Sequence, residues 1–447
     1  MTPASAPTNR RRGRFALLAL TIASLAALTG LSAAPTGAAE LPSTTLPCPV
    51  EYGPGGTPAA TIATDLPLKG ASADRSAQMV EAVRLTLQQR GWKAGATTIG
   101  LASCDDSDAA TGAWTAELCT RNANAYVADP TLLGVVGTYN SGCAGIIAPI
   151  LNPGGIAMIS PGNTLVCLTQ KAASCSTDEP GKYFPSGKRN YARVVPNDAY
   201  QGAALATFAV KTLKAKRIAV LSAGDTTSDG QAAAVTGAAK SLGAKVVVSR
   251  KWNPTATSYT ALMKKVKKAK PQAILLAGLT EQHGGRLIKD KVSVLGKNTG
   301  KVKLLGLDGF AQTSTITLAG KAAAGMFTST PGSAPELLTT SKGKDIVKQL
   351  KAKFPGKPVE PFAPYSAQAA DVLLDAIAAH GTDRPAISAS LYGTKVTDGV
   401  IGTFTIGVTG DPSPGQVTLS VAGKAAFAAL KLVAPTAKTV DAARGTS

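Results

Sequence analysis

The sequence predicts an α/β protein of two similar lobes, each a mostly parallel sheet covered by helices. Three observations carry that expectation. The chain has 447 residues, 44% of them hydrophobic, enough for two or three domains with cores of their own. From about Thr61 it alternates short β-rich runs with helical stretches, each switch marked by Gly, Pro, Asp or Ser, as in βαβ units. The alternation runs twice in succession with no short repeat, which sets aside a solenoid.

The first series opens with a strand over 61–66, closed by Pro67, and a helix over 75–90 stopped by Gly91. Met79, Val83 and Leu87 share one face of that helix. Strands follow at 98–102, 134–139 and 156–160, with helices over 114–127 and 143–151. The stretch 167–190 is rich in Lys, Ser, Pro and Gly without apolar periodicity, and reads as a disulfide-closed surface loop leading into the second lobe. The second series has strands at 191–195, 217–221, 245–249, 273–277 and 303–307, with helices over 199–213, 230–242, 258–268 and 284–295. A helix over 365–379 can turn Val372, Leu373, Ala376 and Ile377 inward, short strands follow from Gly402, and the chain after about Pro435 looks frayed.

The formal net charge is +20, from 47 Lys and Arg against 27 Asp and Glu. Arg10, Arg11, Arg12 and Arg14 precede an apolar run over 15–31, followed by the small residues Ser32, Ala33, Ala34 and Gly37, Ala38, Ala39. That is the order of a secretory signal, with cleavage expected near Ala39; the run contains Thr21, Ser24, Thr29 and Gly30 and is at the short limit for a membrane span. Leu28, Thr29 and Gly30 resemble the start of a lipoprotein box, but Leu31 stands where the lipidated cysteine is required. The product is therefore expected outside the cytoplasm, secreted or cell-surface associated, without lipid at that box. All six cysteines, Cys48, Cys104, Cys119, Cys143, Cys167 and Cys175, follow the signal. They allow up to three disulfides in fifteen pairings. Cys167 with Cys175 would close a short loop and the others could staple the first half, the connectivity remaining open. With no CxxC and only His283 and His380, neither a metal nor another cofactor is expected. The run Lys264, Lys265, Lys267, Lys268 and Lys270 has no interleaved aromatics; it reads as the wet face of an amphipathic helix, with Leu262, Val266 and Ala269 turned inward, and not as a nucleic-acid site.

In open parallel sheets ligands bind beyond the carboxyl ends of the strands. The segment 137–143 (GTYNSGC) lies at such an end, ahead of a helix. The free N–H groups of that helix could hold an anion, with Ser141 supplying a hydroxyl at its entrance or acting merely as an N-cap. After the next strand Gly162 lets backbone approach a bound group, and Thr164 offers a hydroxyl beside it. In the second series Asp308, within 306–310 (GLDGF), places a carboxylate beyond a strand. It suits an ammonium group, though an Asp-Gly turn would account for it too. A secreted hydrolase fails on inventory, since there is no GxSxG and neither histidine has an evident nucleophile partner. No enzyme is expected.

Several further segments stand in a telling order: Leu66-Pro67-Leu68-Lys69-Gly70, Val135-Val136-Gly137 with Asn140-Ser141-Gly142, and 159–164 (ISPGNT). Then come 191–198 (YARVVPND) leading to Gln201-Gly202, 216–221 (KRIAVL), 306–310 (GLDGF) and 402–404 (GTF). In that order, over 62–430, the chain resembles the type I periplasmic binding proteins, specifically the branched-chain amino-acid (leucine/isoleucine/valine) binding proteins of ABC importers. The resemblance implies two Rossmann-like lobes joined by a hinge of three crossings, near 191–196, 325–329 and 401–404. Lobe 1 would hold 60–190 and 331–400 and lobe 2 would hold 191–330 and 401–435, with 1–39 a signal peptide and 436–447 a flexible tail. It further implies a monomeric exported receptor that delivers an amino acid or related small polar solute to an ABC permease by closing its lobes. Ser141, Gly162 and Thr164 would hold the solute's carboxylate and part of its ammonium. Asp308, where the family usually has Glu, would face the ammonium, and closure would bring Thr227 over the solute as well.

The departures from the family fall on the lid. An aromatic that covers the ligand from the first lobe falls on Arg75, a tyrosine–glycine pair of the second lobe on Thr227 and Ser228, and another aromatic on Leu279 or Thr280. The apolar cover is thereby thinned. Arg75 could pair with a second acidic group on the ligand or stand solvated at a helix start. The competing function is a cationic secreted or wall-associated binding protein of the same fold, with a non-amino-acid or polyanionic ligand.

Overall fold

The computed structural model describes residues 46–445; the expected signal peptide, 1–39, lies outside them. The first sheet comprises β1 (Val50–Glu51), β2 (Ala60–Leu66), β3 (Lys93–Ala94), β4 (Thr97–Asp105), β5 (Leu132–Gly137), β6 (Ala157–Ser160) and β7 (Tyr191–Arg193). Its order is β1-β4-β2-β5-β6-β7, with β3 folded back on β4. Central β2 runs parallel to both neighbours, Ala63 lying opposite Ala102 and Val135. All seven β2 residues are buried because helices cover both faces, so burial does not alternate along the strand; its polar Thr64 and Asp65 are hydrogen-bonded inside, Thr64 to Ala102 O and Asp65 by Asn122 and Tyr126. On one face Met79, Val83 and Leu87 of helix Ala73–Gln89 pack with Leu373 and Ile377 of helix Ala363–His380. On the other, Tyr126 of helix Ala116–Ala128 and Ile147 of helix Ser141–Leu151 meet Ala63 and Val135. Three disulfides staple this lobe: Cys48–Cys104, Cys119–Cys143 and Cys167–Cys175.

The second lobe starts with β8 (Arg217–Ser222), β9 (Lys245–Lys251), β10 (Ala273–Ala277), β11 (Lys303–Gly306) and β12 (Phe327–Pro331). A small antiparallel sheet of β13 (Lys395–Gly399), β14 (Gly402–Ile406) and β15 (Pro412–Ser413) comes next, and then β16 (Val417–Ala422) and β17 (Phe427–Val433) return to the second sheet. That sheet has the order β17-β16-β12-β11-β10-β8-β9, parallel from β9 to β12 and antiparallel at β16 and β17. In helix Thr260–Lys268, Met263 and Val266 face the core and the lysines face out.

The crossings lie elsewhere than the resemblance suggested. β7 pairs with β6 in the first sheet, so the chain leaves lobe 1 only over 194–197. β12 sits wholly in the second sheet, which moves the second crossing from 325–329 to 332–340. Phe404 and Ile406 of β14 are buried in the lobe 1 core; the third crossing therefore follows β15 and is not at 401–404. The expected flexible tail is corrected too. Ala437–Arg444 is a helix capped by the Thr436 side chain, which accepts a hydrogen bond from Thr439 N–H, and Val440 and Ala443 are buried in the lobe 2 core.

Candidate functional site

Strand ends from both lobes face one cavity of about 70 Å³. Five of the six residues singled out from the sequence, Ser141, Gly162, Thr164, Thr227 and Asp308, line it together. Arg75 does not.

On the lobe 1 side, the loops after β5 and β6 are sewn to each other. The Ser160 hydroxyl donates to Thr138 O at 2.8 Å and accepts from Asn163 N–H at 2.8 Å, while Asn163 Nδ2 donates to Tyr139 O at 2.9 Å. Ser141 Oγ accepts the Thr164 and Leu165 N–H groups, each at 3.2 Å. Its own proton is then free to be donated, at the N-terminus of a helix whose first N–H groups lack intrahelical acceptors. Two glycines make room here. A Cβ on Gly162 would lie 2.8 Å from the Tyr139 ring, and one on Gly142 would lie 2.5 Å from Trp114. Trp114 and Tyr139 are thus aromatic walls, replacing in part the lid that seemed thinned. Among the described residues Tyr139 Oη and Asn140 Oδ1 have no hydrogen-bond partner.

The lobe 2 side is acidic. Asp225 caps helix Thr226–Ser241 by accepting from Ser228 N–H at 3.0 Å, and it accepts from Gln282 Nε2 at 2.8 Å, which positions Thr227 in the first turn. Asp308, beyond β11, is 4% exposed and accepts from Gln201 Nε2 at 2.9 Å and Gln231 Nε2 at 3.1 Å. Burial raises its pKa, against the pull of Gln201, the Arg75 charge and Gln231. None of the residues lining the cavity is Lys or Arg. The arrangement offers hydroxyl and N–H donors on one side and an anion on the other, which is complementary to a zwitterion.

Arg75 is not the solvated arginine of one expectation, and it lies outside this cavity, lining a separate one with Gln312, Thr313 and Glu360. It is 1% exposed, donates from Nη2 to Ser72 Oγ at 2.6 Å, pairs with Glu281 at 3.6 Å and stacks 3.6 Å from the centre of the Tyr139 ring. Glu281 also accepts from the Ser72 hydroxyl and from Gln312 Nε2. Since Ser72 and Arg75 belong to lobe 1 and Glu281 and Gln312 to lobe 2, this cluster is a latch of direct contacts between the lobes. Arg75→Ala is expected to raise the radius of gyration of the solute-free protein in small-angle scattering; an unchanged radius would show that the latch does not hold closure. The sequence does not reveal the parts played by Trp114, Gln231 or Asp225, and in it Asp198 is only one residue of the 191–198 motif.

Two βα lobes, three crossings and a polar cavity between facing strand ends are the architecture of a bilobal solute-binding protein. Residues 59–417 match the family model described as periplasmic binding protein, and the chain belongs to that family. It is 26% identical over 282 residues to the Leu/Ile/Val-binding protein homolog 3 of Brucella melitensis, covering 62% of this chain and 70% of that one. In fold it is similar to a leucine-binding protein of Thermotoga maritima, with TM-score 0.72, 22% identity, and coverage of 84% of this chain and 99% of that one. It is also similar to a solute-binding protein from R. palustris solved with benzoate, with TM-score 0.69, 19% identity and coverage of 84% and 97%.

Proposed function

We propose that this protein is an extracytoplasmic receptor that captures a small amino acid, or a closely related zwitterion, and delivers it to an ABC permease. One observation carries the reading: Ser141 at a helix N-terminus and Asp308 face the same 70 Å³ cavity from opposite lobes. Each charge-assisted hydrogen bond contributes roughly 1.5–3 kcal/mol, so a few of them reach the roughly −8 kcal/mol of micromolar binding. The cavity is about half the ~150 Å³ that holds a benzene, which favours a compact solute. The names of the relatives, leucine/isoleucine/valine-binding proteins, support the amino-acid class. The export signal expected over 1–39 agrees with a site outside the cytoplasm.

A benzoate-like acid is the second reading, prompted by the fold neighbours solved with such ligands. Asp225 and Asp308 without a lining Lys or Arg weigh against it, because an aryl carboxylate would bring a third anion with no counter-charge. Titration calorimetry with L-alanine, L-leucine, dipeptides, amides and benzoate separates the two. Heat from an α-amino acid at micromolar concentration is expected. Silence from every amine-bearing compound would remove the amino-acid assignment, and a response to benzoate alone would select the second reading.

A further inference from the structure

Behind the cavity wall Asp308 has a second carboxylate for company, Asp198. Asp198 opens helix Asp198–Thr207 and is 1% exposed. It shares both amide donors of Asp308: Gln201 Nε2 lies 3.1 Å from Asp198 Oδ1 and 2.9 Å from Asp308 Oδ1, and Gln231 Nε2 lies 3.2 and 3.1 Å from the same two oxygens. The Ser329 hydroxyl donates to Gln201 Oε1 at 3.1 Å, which turns that amide's hydrogens toward the acids. Asp198 Oδ2 has no hydrogen-bond partner among the described residues. The nearby cations are committed elsewhere, Arg193 to Asp411 and Arg75 to Glu281. Two buried anions bridged by the same N–H groups and lacking a directly paired cation cannot both stay ionised cheaply.

We propose that Asp198 and Asp308 hold one proton between them in the empty cleft and that the solute's ammonium displaces it, so that capture releases a proton. The ligand half of this inference rests on the amino-acid reading; the shared proton does not. Asp198 is a positioning residue, acting on the solute through Asp308. Its surroundings favour the proton: burial and the Asp308 charge push its pKa up to about 7, against Thr164, Gln231 and the more distant Arg193. Asp308 faces Gln201 and Gln231, with Arg75 beyond and Glu281 on the far side of Arg75. The recognised group is thus a compact ammonium that donates N–H bonds. An N-acylated amino acid would neither displace the proton nor bind well. Affinity should fall about tenfold per pH unit on the acid side of the pair's titration.

Carboxyl ¹³C NMR of the solute-free protein tests the shared proton directly. One carboxyl of the pair is expected to titrate near pH 7 in the wild type, and in the D198N protein Asp308 should titrate about one unit or more lower. Both carboxyls ionising below about pH 5 in the wild type would overturn the proposal, whether or not the variant folds. Calorimetry with L-alanine and L-leucine near pH 6, in two buffers of different ionisation enthalpy, tests the displacement. Release approaching one proton per solute is expected for the wild type and little for D198N; equal heats in both buffers would overturn the coupling. A protein that ignores both amino acids yet shows the NMR titration loses the amino-acid reading and keeps the shared proton.

Discussion

Asp308→Asn is expected to weaken an amine-bearing solute about thirtyfold or more while leaving the fold as stable as before, or more so. The loss follows from truncating one partner of a buried charge pair, which costs about 2–5 kcal/mol, at about 1.4 kcal/mol per decade of affinity. The stability half follows from the sign of the pKa shift. Burial raises the Asp308 carboxyl above its unfolded value, and Asp198 titrates near 7 beside it. A carboxyl shifted upward favours the fold at low pH, and that contribution disappears as pH rises through the folded value. At pH 8 the ionised pair therefore opposes folding, and asparagine removes one charge while keeping an acceptor for Gln201 and Gln231. Calorimetric affinity and thermal unfolding at pH 8 measure the two halves together. Unchanged affinity would sink the ammonium role; lost affinity with a collapsed melting temperature would mean that Asp308 serves the fold instead.

The places of Ser141, Gly162 and Thr164 on the cavity wall were legible in the sequence because they follow from position alone: each stands in a polar segment just beyond a buried strand. Asp308 was legible for the same reason. What escaped depends on distant chain segments meeting. Arg75 looked free because no local signal reveals Glu281, which receives Ser72 across 209 residues. Asp198 looked like an ordinary helix-start acid, yet its significance lies in Gln201 and Gln231 joining it to Asp308. Trp114 gave no sign of its post over Gly142. Among the elements, helix Ser341–Lys353 went unread because Ile346, Val347 and Leu350 are its few buried large side chains amid five lysines. The crossings were displaced because strand pairing, which assigns β7 and β12 to their sheets, is not a local property.

Arg193→Met is expected to cost about 3–5 kcal/mol of folding stability, the range for stranding one partner of a buried ion pair. Arg193 is fully buried where the chain leaves lobe 1. Its Nε donates to Asp411 Oδ1 at 2.7 Å, Nη1 to Asn163 O at 3.1 Å and Leu165 O at 2.8 Å, and Nη2 to Thr169 Oγ1 at 2.6 Å. One guanidinium thus ties the first crossing to the segment before the third and braces the loop that presents Thr164. Lysine lacks the planar fork and should not rescue it. The pH dependence gives a sharper readout than the magnitude. Burial alone would raise the Asp411 carboxyl, but Arg193, Thr169 and Gln170 hold it below the usual range, so in the wild type its contribution is present above about pH 4 and lost as pH falls through the lower, folded value. Without the guanidinium the buried carboxyl shifts upward, and its effect reverses, with stability falling as pH rises through the new value. Arg193→Met combined with Asp411→Leu should recover part of the loss, since no charge is then stranded. Urea unfolding of the three proteins between about pH 4 and 8 decides the matter: a loss below about 1 kcal/mol, with the wild-type pH slope retained, would show that this buried pair does not hold the hinge.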